Sequence, residues 1–189
     1  MSESFTISAD NQKRLLLLAR EAIRAEASGE KTALPSKSND AELSRPSAVF
    51  VTLHKHGRLR GCIGTTQPLE PLLDAVSYFA HAAAFEDPRF PSVQAEEVPE
   101  LHIEISVLSP MREVASPEEI VPHVHGVMVR KGRHAGLFLP QVWEQLPDKE
   151  QFMGYLCAEK AGLPFDAWKQ DGMQFYVFTV VAFEEETTP

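Results

Sequence analysis

Apolar residues recur along the chain at two periods, three-to-four and two. Leu15, Leu16, Ala19, Ala22 and Ile23 fall at helical spacing, which predicts an amphipathic helix over residues 10–27. Ser8 or Asp10 is placed to cap its start and Gly29 to end it. Residues 29–47 are polar with two prolines and read as a long surface loop. "AVFVTLH" (48–54) is β-branched and aromatic, "KHGR" reads as a turn, and "LRGCI" as the return strand of a hairpin. "PLEPLLDAVSYFAHAAAF" (68–85) then predicts a helix with Leu72, Leu73, Val76, Phe79, Ala80 and Ala83 inward and Pro71 in its first turn. "DPRFP" ends it, since proline disfavours helix at the preceding residue.

Further on the period falls to two. Leu101, Ile103, Ile105 and Val107 face one way, and His102, Glu104 and Ser106 the other. "SPEE" (116–119) has the form of a capping box and predicts a short helix. "GVMVRKGRHAGLFLP" reads as a second hairpin, "DKEQFMGYLCAEKAG" as a helix ending at Gly162, and 173–183 as one last strand before an acidic tail. Because the strands come mostly as hairpins, the predicted class is α+β, with mainly antiparallel sheet and flanking helices. Gly57-Arg58-x-x-Gly61 in the first hairpin echoes Gly132-Arg133-x-x-Gly136 in the second. A true repeat would give two similar lobes, but glycine-marked turns are also common by coincidence.

Composition narrows the function classes. The 189 residues fit a single domain, with two closely joined lobes as the alternative, and 43% hydrophobic residues can build a core. A net charge of −9 argues against broad nucleic-acid or anionic-membrane binding. Two cysteines, Cys62 and Cys157, form no disulfide framework and read as reduced thiols of a cytoplasmic protein. No signal peptide and no membrane-spanning run is expected.

Chemistry concentrates in "LRGCIG" (59–64), where a cysteine sits between two glycines and two residues after an arginine. On a regular strand Arg60 and Cys62 share a face, while Leu59, Gly61 and Ile63 share the other. A neighbouring guanidinium favours the reactive thiolate form of a cysteine. Gly61 and Gly64 allow close approach of a ligand or another backbone. The plainer reading is a small buried cysteine and a bulge-marking glycine. Cys157, beside Leu156 in a helix, reads as core.

"FVTLHKHGRLRGCIG" (50–64), "DPRFPSV" (87–93), "IEISVLSP" (103–110), "LFLPQV" (137–142) and "FMGYLCAEKAGL" (152–163) together resemble the AMMECR-type domain, whose bacterial and archaeal members are called AmmeMemoRadiSam system protein A. The resemblance spans nearly the whole chain, and LRGCIG is its most specific signature. Thr66 stands where many members have an aromatic residue, and Ser92 replaces the second proline of a common DPRFPPV; neither touches the signature. The resemblance implies an α+β fold of two lobes with a cleft near the signature. It also implies an association with a Memo-like protein and a radical-SAM protein. A link to RNA metabolism is suggested for the family, and no settled activity is implied.

The candidate catalytic set is Cys62 as nucleophile or hydrogen-bonding group, Arg60 as orienting cation and Glu104 as proton carrier. Gly61, Gly64, Thr65, Asp87 and Arg89 complete a ligand-facing set for a small anionic or carbonyl compound. The bland readings are a solvated strand face for Glu104 and a local ion pair bracing a turn for Asp87 and Arg89. The rival function is a non-catalytic module that docks a Memo-like or radical-SAM partner. Seven histidines show no metal-ligand spacing, so no metal is expected. No cofactor motif is present either, since neither a Walker loop nor a GxGxxG follows a strand. "KHGRLR" and "RKGRH" concentrate positive charge, either to hold an anion or simply as solvated hairpin tips.

Overall fold

The computed structural model describes residues 5–30 and 38–186. It divides into two compact units, Met1–Leu108 with Val181–Pro189, and Ser109–Val180. In the first unit α1 (Ala9–Ala27), a one-turn α2 (Ala41–Ser44), β1 (Ala48–Lys55), β2 (Arg58–Thr65), α3 (Leu72–Phe85) and β3 (Leu101–Leu108) follow in order. The second unit holds β4 (Arg112–Val114), β5 (Gly126–Lys131), β6 (His134–Phe138), α4 (Lys149–Tyr155) and β7 (Gln174–Phe178). The chain then returns to the first unit as β8 (Val180–Glu184).

Each unit has one four-stranded sheet, in the orders β2-β1-β3-β8 and β6-β5-β7-β4. Both run the same course: a hairpin whose second strand is the edge, a helix, and a strand pairing beside the hairpin's first strand. The glycine echo is carried by this shared course. Gly57 and Gly132 both adopt positive φ, +73° and +61°, at the hairpin turns. A Cβ on Gly61 would lie 2.1 Å from the Ala83 carbonyl oxygen, and one on Gly136 would lie 2.6 Å from the Ala161 nitrogen. In both units the second glycine of the echo lets helical backbone approach the edge strand more closely than any side chain permits.

The alternating pattern explains the first core. Val49, Val51 and Leu53 of β1 and Ile103, Ile105 and Val107 of β3 are fully buried, and they pack against α1 through Leu15, Ala19 and Ile23 and against α3 through Leu72, Val76 and Ala80. The other face of this sheet carries Phe50, Thr52, His54, His102 and Glu104, all partly exposed. The second core is built on Trp143, Phe152, Met153, Leu156 and Cys157, with Trp143 and Phe152 stacked at 3.6 Å.

Several expectations are corrected. The predicted loop 29–47 contains α2, whose first turn is capped by the Asp40 carboxylate; residues 31–37 of that loop lie outside the described residues. Helix α3 begins at Leu72 and not at Pro68, because Pro71 takes extended geometry as its N-cap. "SPEE" forms only a 3₁₀ turn, Pro117–Glu119, and the Ser116 side chain makes no cap. A capping box forms instead at Gln94 and Glu97, at the head of an unexpected 3₁₀ helix, Ala95–Glu100. The predicted strand 173–183 is two strands, since Thr179 breaks the ladder and pairs with Ser109 while β7 and β8 join different sheets.

Candidate functional site

A bulge decides what the signature hexapeptide presents. The turn at His56 and Gly57, both at positive φ, pairs Lys55 with Arg58 and His54 with Leu59, as a two-residue hairpin should. Continued without interruption, that register would place Cys62 opposite Val51, on the core side. The ladder instead skips Arg60, so Leu53 faces Gly61 and Thr52 faces Cys62. One extra residue in a strand moves everything beyond it to the opposite face. The bulge therefore carries Cys62 out of the core and onto the polar face of the sheet.

The same bulge overturns the expected neighbourhood of Arg60 and Cys62. Arg60 stays on the core side, where its guanidinium holds Glu97 through two hydrogen bonds, Nε to Oε1 at 3.2 Å and Nη2 to Oε2 at 3.0 Å. Lys55, which shares the Val51 and Leu53 side of β1, meets the same carboxylate at 3.1 Å. Only 11% of the Arg60 side chain is exposed, and its Nη1 is buried without a hydrogen-bond partner among the described residues. The Arg60 guanidinium beside Glu97 lowers that carboxyl to about 2. Periodicity alone could not show this, because a bulge leaves no mark in a two-residue alternation.

Cys62 is half-buried, and its sulfur accepts a hydrogen bond from the Thr52 hydroxyl at 3.3 Å. Thr52 in turn faces Glu104 across β1 and β3. Cys62, Thr52 and Glu104 thus form one row across three strands. Because Cys62 turns its backbone N–H outward, the first pair is of the close, non-hydrogen-bonded kind. The row spans roughly 10 Å between its outer Cα atoms. Ser106 Oγ lies 3.5 Å from Glu104 Oε1.

The outer edge of β2 is closed by side chains. Asp87 Oδ2 accepts the Cys62 N–H at 2.9 Å, and Arg89 Nη2 donates to the Cys62 carbonyl at 3.2 Å. Asp87 and Arg89 are themselves paired, Nε to Oδ1 at 2.9 Å and Nη2 to Oδ2 at 2.7 Å, and the Arg89 N–H also donates to Asp87. The pair takes the place of a further strand, meeting both edge groups of one residue. The Asp87 side chain is 2% exposed, and Arg89 together with these N–H donors holds its carboxyl far below the usual carboxylate range. "DPRF" thus braces a turn and clamps the signature at once.

The two signature glycines serve packing. Gly61 admits the backbone of α3, while Gly64 lies under the Phe50 ring, whose atoms would be 2.4 Å from an added Cβ. Thr65 ends β2, where its hydroxyl accepts the Gln67 N–H at 3.0 Å. Beside the cysteine row runs a second row that sequence reasoning missed, His54 facing His102, with His102 Nε2 3.0 Å from Glu184 Oε2. It borders a recess of about 820 Å³ that also includes Arg20, His56 and Glu100. The pairs Thr52–Glu104 and His54–His102 follow from pairing β1 with β3, and Cys62–Thr52 from the bulged β1–β2 ladder, none of which periodicity within one strand gives. Among the described residues no group of three histidine, cysteine or carboxylate side chains converges to hold a metal. Cys157 is fully buried, and burial pushes its thiol up.

The model of the AMMECR1 family matches residues 16–183. The chain belongs to the AMMECR1 family. Among its relatives, protein TK0174 of Thermococcus kodakarensis is 40% identical over 185 residues, covering 91% of this chain and 89% of the relative. Protein MK0488 of Methanopyrus kandleri is 41% identical over 197 residues, covering 98% and 93%. The crystal structure of PH0010 from Pyrococcus horikoshii superposes with a TM-score of 0.83 at 38% identity, over 96% of this chain and 95% of that one. The family assignment and the α+β class with antiparallel sheets agree with the sequence reading. No helix among the described residues is long and apolar enough to cross a membrane.

Proposed function

We propose that the polar face of the first sheet is a thiol-centred site for a small anionic or carbonyl ligand, and that the protein is an enzyme or an enzyme component. The observation that carries this reading is the placement of Cys62. A bulge brings it out of the core, the Thr52 hydroxyl holds its sulfur, and the ion pair of buried Asp87 with Arg89 fixes its backbone from the other side. Each device constrains position, which is what a reacting or ligand-gripping group requires. Cys62 acts as nucleophile toward a carbonyl carbon: the C–S bond forms as the C=O π bond opens, and the thiol proton passes through solvent to the carbonyl oxygen to give a hemithioacetal. Thr52 is a positioning residue.

Glu104 stands on β3, with Thr52 of β1 between it and Cys62. It serves the other end of a ligand lying across the three strands. The cationic role expected of Arg60 passes to Arg89, whose guanidinium sits at the Cys62 backbone while Arg60 is engaged by Glu97 on the core side. Asp87 and Arg89 hold the strand in place, and Gly61, Gly64 and Thr65 shape it.

The test is alkylation of Cys62 by iodoacetamide at neutral pH, with and without glyoxylate as an anionic carbonyl probe. Labelling faster than a free peptide thiol, slowed by glyoxylate in the parent and less so in Glu104→Gln, is the expected result. A rate no greater than that of the peptide removes the nucleophile role. Docking of a Memo-like or radical-SAM partner is the second reading. It would be favoured if Cys62→Ser and Cys62→Ala both still captured such a partner. Strand addition at Cys62 is not the mode for it, since both edge groups are already bonded to Asp87 and Arg89.

A further inference from the structure

A hollow of about 380 Å³ lies in the first unit at the end of β2, away from the cysteine row. Leu69, Ala75, Tyr78 and Phe79 line it together with the acidic residues Glu70 and Asp74. Leu69 is 73% exposed and Tyr78 58%, and the Tyr78 ring meets Phe79 edge-on at 5.0 Å. Large apolar side chains left open around a concavity of this size are the usual lining of a small-ligand pocket.

The hollow is built and held. The Ser47 N–H donates to the Glu70 carbonyl at 3.1 Å and the Leu72 N–H to the Arg45 carbonyl at 3.0 Å, while Pro46 bridges Pro71. Thr65 fastens the other side of the rim through Gln67. The loop that forms one wall is therefore tied at one end to the segment before β1 and at the other to Thr65, the last residue of β2.

Its charge is one-signed. Among the described residues, Glu70 and Asp74 line the hollow and no lysine, arginine or histidine does. Neither carboxylate has an ion-pair or side-chain hydrogen-bond partner among the described residues. Asp74 also suits the positive end of α3, in whose first turn it lies, but that role does not call for an exposed aromatic wall beside it. A phenol ring and carboxylates around an apolar hollow together favour a cation carried on an apolar body.

We infer that this hollow binds a small amphiphilic amine, its ammonium between the Glu70 and Asp74 carboxylates and its apolar part against Leu69, Tyr78 and Phe79. None of Cys62, Thr52 and Glu104 lines the site.

The test is a two-dimensional amide NMR titration of the full chain with 4-phenylbutylamine, set against 4-phenylbutan-1-ol and 4-phenylbutyrate. Saturable shifts at Thr65, Gln67, Leu69 and Ala75 are expected, with the amine binding about tenfold more tightly than the carboxylate. The double variant Glu70→Gln, Asp74→Asn should bring the amine down to the affinity of the alcohol while leaving the spectrum elsewhere unchanged. Tyr78→Ala should weaken both amine and alcohol. Equal affinities for amine and carboxylate, shifts centred on other residues, or no saturable shift at millimolar amine would each overturn the assignment. Melting of each variant without ligand reads the helix-end role of Asp74 separately.

Discussion

The Asp87 carboxylate accepts the backbone N–H of Cys62 at 2.9 Å, although twenty-five positions of sequence separate the two. The Arg89 bonded to that carboxylate donates to the carbonyl of the same cysteine. Asp87→Asn keeps the shape but removes the charge and turns an N–H donor toward Arg89 or Cys62. Buried charged groups lose roughly 2–3 kcal/mol when a partner is spoiled in this way. Urea unfolding should therefore show a loss of about that size, whereas Asn at the exposed Asp166 should change little. A loss for Asp87→Asn within the scatter of surface variants would show that the clamp contributes nothing to the fold.

The same pair and the Arg60–Glu97 pair set an acid limit. Both carboxyls titrate lower in the folded chain than in the unfolded one, Glu97 at about 2 and Asp87 lower still, so the unfolded state binds protons first as the pH falls. Their contributions are complete above the unfolded values near 4 and drain away below them. Glu97 contributes less and less from about pH 4 to about pH 2. Stability of Glu97→Gln relative to the parent, followed by urea unfolding through that window, should converge on the parent as the pH drops. A constant gap across the window would mean that the ion pair is not the source.

Two signature-proximal glycines should respond to alanine for different reasons. At Gly61 the new Cβ meets a carbonyl oxygen of α3, and backbone cannot swing aside as a flexible side chain can. About 3 kcal/mol or outright misfolding is expected there. At Gly57 nothing stands within 4 Å, but φ is +73°, so the cost is that of a left-handed residue, about 1 kcal/mol. Chemical denaturation of the two variants side by side checks this order. Equal costs would mean that α3 moves away freely and that Gly61 is kept for something other than packing.

The sequence pattern reached as far as regular period allows. Leu101, Ile103, Ile105 and Val107 are buried as their alternation requires, although Ser106 on the opposite face is buried too, and the hairpin turns are marked by His56-Gly57 and Gly132. What stayed hidden depends on one-residue or long-range events. The bulge at Arg60 exchanges faces within a strand that looks regular. Thr179 splits an apolar run that reads as continuous, because the two halves bury their side chains in different cores. Gln94 and Glu97 close a capping box with glutamine in the place usually given to serine or threonine. At the candidate site Cys62, Asp87 and Arg89 were each visible as candidates, and their contact was not, since it joins a strand edge to a turn by side chains alone. Thr52 carries no signal of its own in the sequence, because a strand threonine gains meaning only from its partner across the ladder.

The last prediction separates the two arginines. If the bulge places Arg60 behind the sheet, neutralising it should leave the chemistry of the cysteine alone. Arg60→Gln should lose stability, because among the described residues it leaves Glu97 with Lys55 as its one ion-pair partner, yet its Cys62 alkylation rate should stay within about twofold of the parent. Arg89→Gln acts on the Cys62 backbone directly and should change that rate by clearly more. Mass spectrometry of the native chain should find one label, at Cys62, because Cys157 is wholly enclosed and burial disfavours its thiolate. A second label should appear only in denaturant. If Arg60→Gln slowed labelling as strongly as Arg89→Gln without loosening the fold, its guanidinium would have to reach the polar face, and the register that skips Arg60 would be wrong.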